Sequence, residues 1–219
     1  MSPAFFFRRK AAVSASLLAA SLCLFLTGCL VKVDKNGHGS QKNDNVSIAV
    51  PFAGIHVQTN QTTAADLGLS IYPGAVETTD NGNDKSANVD LGFGPWQMKV
   101  KVVTYKTPDP QNKVVDFYRK NLSEFGTVIA CDGDSPVGKP TTTNQGLTCA
   151  QSDKRVNINM NDKGVNIDGK DINSGFNLRA GSPHHQRIVA FKDNGNNQTK
   201  FTLVELVLPT DHGKNNTPD

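Results

Sequence analysis

The sequence has little of what most functional classes require. No acidic residue precedes Asp34, and the only long apolar run, residues 11–26, is broken by nothing but serines. That run is shorter than the roughly 20 residues a membrane-spanning helix needs. With Arg8, Arg9 and Lys10 ahead of it, it reads as the positive and apolar regions of an export signal, and residues 1–28 are set aside from the fold. Their removal takes away three cations and no acid, so the 23 Lys and Arg fall to 20 against 20 Asp and Glu. A chain of zero net charge has no basic excess to steer nucleic acid, which excludes that partner. There is no C-x-x-C pair, no G-x-S-x-G and no phosphate loop: "GFGPW" lacks both the lysine and the strand–helix setting. Two acid- and Asn-rich stretches, "DNGNDKSANVD" and "NINMNDKGVNIDGKD", have neither the glycine nor the glutamate of a calcium loop at the right place.

Four cysteines are present. Cys23 leaves with the signal, and Cys29 stands at its end. Cys131 and Cys149 remain, an even pair in an exported chain, and are expected to form a disulfide. The loop between them, rich in Gly, Pro and Thr, buries too little to fold unaided, and closing it is worth about 3 kcal/mol in the chain-entropy model.

Residues 34–45 contain no apolar side chain and read as a solvated tether, 29–45 in all. An ordered domain is expected over 46–209, with 46–60 either part of it or a separate hairpin, and a polar tail over 210–219. Within it, Met98, Val100 and Val102 alternate with Lys99 and Lys101, the signature of a half-buried strand. Val114, Phe117, Tyr118, Leu122 and Phe125 form one helical stripe, with Asp109 as N-cap, Pro110 at the first helical position and Gly126 as terminator. "TVIACD" and "GLTCAQSD" read as strands flanking the cysteine loop, and "RVNINMNDKGVNIDG" and "QRIVAFKD…TKFTLVELVLP" as hairpins. One long helix, about 110–125, among seven to nine strands predicts an α+β fold: a mainly antiparallel sheet with the helix packed on one face.

Two resemblances bear on function. Leu26-Thr27-Gly28-Cys29 resembles the lipobox of bacterial lipoproteins. It implies cleavage between Gly28 and Cys29, lipidation of the Cys29 thiol, and acylation of the new amine, with palmitate-type chains that hold the protein stably to a bilayer. Leu30 rather than Asp after the cysteine implies sorting to the outer membrane of a two-membrane host. "LGLSIYPGA" with "VVDFYRKNLSEFG" resembles a module of uncharacterised envelope lipoproteins over residues 64–132, which implies a domain and no chemistry.

Candidate site residues are few. His38, His56, His184, His185 and His212 form no ligand spacing; neighbouring His184 and His185 point apart in an extended segment. No cofactor or metal is expected. Asp132 and Asp134 are expected to face water. Glu205 in "LVELV" is either a buried carboxylate with a function or, as the reading favours, an outward position on a half-exposed strand. Trp96, after Gly92, Gly94 and Pro95, is either an exposed anchor for carbohydrate, peptide or membrane, or, as favoured, a plug of the core. Trp96, His184 and His185 are the candidate binding surface. The expected role is a lipid-anchored envelope binding or structural module whose partner is an envelope protein or glycan; the alternative is an envelope hydrolase with a site assembled from distant residues.

Overall fold

The computed structural model describes residues 30–36, 43–50, 53–79, 85–94, 96–151, 158–161, 164–167, 175–193 and 198–209. Residues 1–29, among them Cys29, and His38, His212 and the rest of 210–219 lie outside these residues. Among the described residues, thirteen strands accompany one α-helix: β1 (Leu30–Asn36), β2 (Asn43–Val50), β3 (Ala53–Thr59), β4 (Val76–Glu77), β5 (Ser86–Phe93), β6 (Trp96–Thr107), α1 (Gln111–Leu122), β7 (Ile129–Asp132), β8 (Ser135–Pro136), β9 (Ile158–Asn161), β10 (Gly164–Ile167), β11 (Phe176–Ser182), β12 (His185–Asp193) and β13 (Thr199–Val207). Eleven of them form one open antiparallel sheet in the order β1-β2-β3-β5-β6-β13-β12-β11-β7-β8, with β4 beside β6; β9 and β10 make a separate hairpin.

Alternation along each strand gives this sheet two unlike faces. On the front face Val103, Tyr105, Phe201, Leu203, Val189 and Leu178 share one buried cluster with Val114, Tyr118 and Leu122 of α1. Tyr118 lies 5.3 Å from Phe201 between ring centroids. On the rear face Met98, Val100, Val102, Ile188, Val204 and Leu206 form a second buried cluster. The alternation read in β6 is therefore present, with Lys99 and Lys101 on the front.

The Tyr-Pro-Gly-Ala turn and the Phe-Tyr-Arg helix meet in space. Tyr72 stands edge-on to Phe117 at 5.2 Å, and its backbone N–H donates to the Tyr118 hydroxyl at 3.3 Å. The Tyr72 hydroxyl in turn donates to Asp109 Oδ2 at 2.7 Å. Asp109 is thus drawn into a long-range bond, and the expected N-cap falls instead on Pro110, which makes no side-chain cap. Upstream, a 3-10 turn at Ala65–Leu67 ends at Gly68, whose φ of 70° is the left-handed conformation that glycine adopts without steric cost.

Two expectations need correction, and one open alternative is decided. The tether read over 29–45 includes paired backbone, since β1 and β2 are hydrogen-bonded along their length. Backbone pairing is indifferent to the polarity of the side chains, so a run without apolar residues still forms an edge strand. Residues of the 46–60 segment are not separate, because β3 pairs with β5 from Ala53 to Thr59. Finally, only β7 flanks the cysteine loop as a strand; Cys149–Gln151 is a 3-10 turn. The Cys131–Cys149 disulfide is formed. Arg179, fully buried, ties the loop to β11 by donating to Cys149 O at 3.1 Å, and is itself held in place by donating to Asn177 Oδ1 of the same strand at 2.7 Å.

Candidate functional site

Two polar rows cross the front face beyond the aromatic cluster. In the first, Asn45, Gln58, Asn88, Lys101, Glu205 and Arg187 are successive register partners across β2, β3, β5, β6, β13 and β12. In the second, one step toward the chain-entry end of the sheet, Ser47, His56, Asp90, Lys99, Val207 and His185 follow one another.

Glu205 is only 8 % exposed and sits in a central strand. Neither the outward position nor a lone buried acid describes it. Lys101 Nζ is 3.0 Å from Oε2, and Arg187 Nη2 and His185 Nε2 are 3.0 and 2.9 Å from Oε1. Burial alone would push its pKa up. Hydrogen bonds from His185 and Lys101, with the charges of Lys101 and Arg187, outweigh that and hold it below the ordinary carboxylate value. The same cations reach the 3-10 turn. Arg187 Nε donates to Leu67 O at 2.9 Å, Lys101 Nζ donates to Asp66 O at 2.8 Å, and the Arg187 guanidinium lies 4.1 Å over the Phe125 ring. A carboxylate so fully engaged is a poor proton donor at neutral pH. Its role is to hold two cations that fasten the 3-10 turn and the end of the helical segment to the sheet.

The second row is open. Ser47, His56, Asp90 and Lys99, with Gly54, Gly92 and Gln97 in the row beyond and the apolar Ile48, Ala49, Ile55 and Leu91 beside them, line a shallow hollow of about 410 Å³. Gly54 and Gly92 face each other across β3 and β5. A Cβ on either would touch nothing within 4 Å, so the missing side chains make the depression. Ser47 Oγ is 2.6 Å from His56 Nδ1, and Lys99 Nζ is 3.6 Å from Asp90 Oδ1. The wall thus presents a hydroxyl, an imidazole, a carboxylate, an amide and an ammonium, a mixture of donors and acceptors in a volume that suits a small ligand. His56 is half-buried here.

Among the other candidates, Trp96 is 43 % exposed and no plug of the core. It opens β6 beside a turn, where too few neighbours surround it for burial. His184 is exposed, with Nδ1 3.0 Å from Pro209 O, and His185 faces Glu205; the adjacent pair diverges as read. Asp132 and Asp134 are exposed. Among the described residues no group of three or more His, Cys, Asp or Glu is placed to hold a metal, and no helix is long and apolar enough to cross a membrane.

Sequence reasoning missed Ser47, Asp90, Arg187 and the glycine floor. Each is an ordinary residue in its own strand. Only the register, which joins strands distant in sequence, assembles them. No protein-family model, curated protein or solved structure matches the chain.

Proposed function

We propose that the protein is a lipid-anchored envelope binding module, held to the membrane through acylated Cys29, which takes a hydroxyl-rich ligand, such as a sugar unit of an envelope glycan, in the hollow between β2 and β6. It is an α+β unit in which α1 covers one half of the front face and leaves the other half wet. Leu26-Thr27-Gly28-Cys29 supports the anchor, and Leu30 supports the outer membrane as its address. The hollow carries the binding reading: a glycine floor walled by donors and acceptors offers an exposed sugar ring a flat seat and directional hydrogen bonds. Backbone NMR with envelope glycan fragments tests it. Shifts gathered at Gly54, Gly92 and Gln97 are the expected result, and a spectrum unmoved by every fragment at millimolar concentration overturns it.

One contact favours a second reading, a hydrolase: Ser47 Oγ and His56 Nδ1 are within hydrogen-bond reach, the first requirement of an activated nucleophile. Asp90 is the next residue in that row. Turnover of an ester or glycoside lost in both Ser47→Ala and His56→Gln would replace the binding reading with this one.

A further inference from the structure

We propose that the sheet end carrying Trp96 rests on the bilayer that holds Cys29, so that the protein has a second, oriented contact with its membrane. This rests on the lipid-anchored reading of Cys29. The chain enters the sheet at Leu30, which stands in one register row with Ala49, Gly54, Gly92 and Gln97. The next row outward joins Val50, Ala53, Phe93 and Trp96, and the sheet ends there. Cys29 is one residue from Leu30, and consecutive Cα atoms are about 3.8 Å apart. Acyl chains on Cys29 therefore leave the protein at the level of this row. No spacer separates the anchor from β1.

Trp96 is four strand spacings from β1, about 19 Å along the same end. It is 43 % exposed and the sole tryptophan. Ile55, 41 % exposed, stands on the rear face two rows inward of Trp96, in register with the half-buried Ile48 and Leu91 and with Met98. An exposed indole at a sheet end, backed by an exposed isoleucine on the face of apolar rows, matches what the headgroup level accepts: an apolar body with one polar N–H. An acyl anchor alone is a point of attachment and leaves the domain free to tilt. A second contact some distance away fixes the sheet upright and turns the front-face hollow sideways along the membrane surface.

The sole tryptophan makes the test direct. Full-length protein extracted from membranes is reconstituted in phosphatidylcholine/phosphatidylglycerol vesicles whose acyl chains are brominated near the headgroup. Its mass is measured on the same sample. The expected result is an acylated Cys29, a blue-shifted Trp96 emission, roughly twofold quenching by bromine, and a similar loss of acrylamide quenching, as for an interfacial indole. An acylated protein whose Trp96 ignores bromine and stays fully open to acrylamide overturns the seating and leaves the anchor standing. Shielding from acrylamide without bromine quenching also overturns it, since another protein surface then covers Trp96. An unacylated Cys29 overturns the anchored reading and this inference with it.

Discussion

Glu205 and Arg187 face each other across β13 and β12, with Arg187 Nη2 3.0 Å from Glu205 Oε1, while the same guanidinium donates through Nε to Leu67 O. One cation thus answers a buried acid on its own sheet and a backbone carbonyl on the segment above it. The carbonyl belongs to a 3-10 turn, whose last C=O groups have no partner within the turn. Arg187 and Lys101 supply those partners, and Glu205 supplies the charge that makes both cations tolerable at the site.

Replacing Glu205 with Gln is expected to destabilise the protein by about 2–4 kcal/mol, because it leaves two cations beside each other with no anion between them. The sign of the pH dependence follows from the same geometry. A carboxylate held below its ordinary value stabilises the fold above that value, and this contribution is lost as pH falls through the lower folded-state pKa. Thermal unfolding followed below about pH 4.3, the ordinary glutamate value, should therefore fall more steeply in the parent than in Glu205→Gln. Parallel curves for the two proteins would remove Glu205 from the account.

Tyr118 is completely buried, and its hydroxyl accepts from the Tyr72 backbone N–H. Burial raises the phenol well above its ordinary value, so it stays protonated across the working range. Tyr118→Phe keeps the ring against Phe201 and removes only the acceptor, for an expected cost of about 1 kcal/mol. Tyr118→Ala removes the ring as well and should cost about 3–5 kcal/mol. Denaturant titration separates the two, and a Tyr118→Phe midpoint equal to the parent's would mean that the Tyr72 turn does not depend on the Tyr118 hydroxyl.

How much of this was legible in the sequence differs by feature. The alternation of Met98, Val100 and Val102 with Lys99 and Lys101, the stripe of α1 and the β12–β13 hairpin are local patterns, and each is visible in a short window. The rows on the front face are not local. Lys101 meets Glu205 only because β6 pairs with β13, and His56 meets Asp90 only because β3 pairs with β5. Hydrophobic period identifies which face a residue takes and leaves its cross-strand neighbour open. Trp96 illustrates the same limit: the core was the favoured reading, yet its place at a strand end decided its exposure. Asp109 shows a local rule overridden, since its carboxylate accepts from the distant Tyr72 hydroxyl and not from the first turn of α1.

The disulfide loop should depend on its crosslink. Cys131 and Cys149 are buried with Ile129 and Leu147 and little else, a small cluster under an otherwise polar loop. A Cys131→Ser, Cys149→Ser double variant is expected to lose about 3 kcal/mol, close to the chain-entropy value for a loop of this length. The loss should sit in the loop. Hydrogen exchange of Thr143 and Leu147, whose amides are bonded within the loop, should rise more than that of β13. A uniform rise across the sheet would show that the crosslink supports the whole fold.

The hollow makes the sharpest separation between stability and function. Gly92 lies in a central part of the sheet, and its Cβ position is open space. Valine there has the β-branched shape that strands favour and meets no neighbour, so Gly92→Val should leave the unfolding midpoint unchanged or raise it by up to about 1 kcal/mol. It also fills the floor between Asp90 and Gln97. Ligand binding should then fall at least roughly tenfold, the loss that about 1.4 kcal/mol of contact represents. The hollow runs from the row of Gly92 and Gln97, next to that of Trp96, to the row of Asp90 and Lys99, three residues or about 10 Å from it. If Gly92→Val binds envelope glycan fragments as the parent does, the floor is not the seat, and the site must be sought elsewhere on the front face.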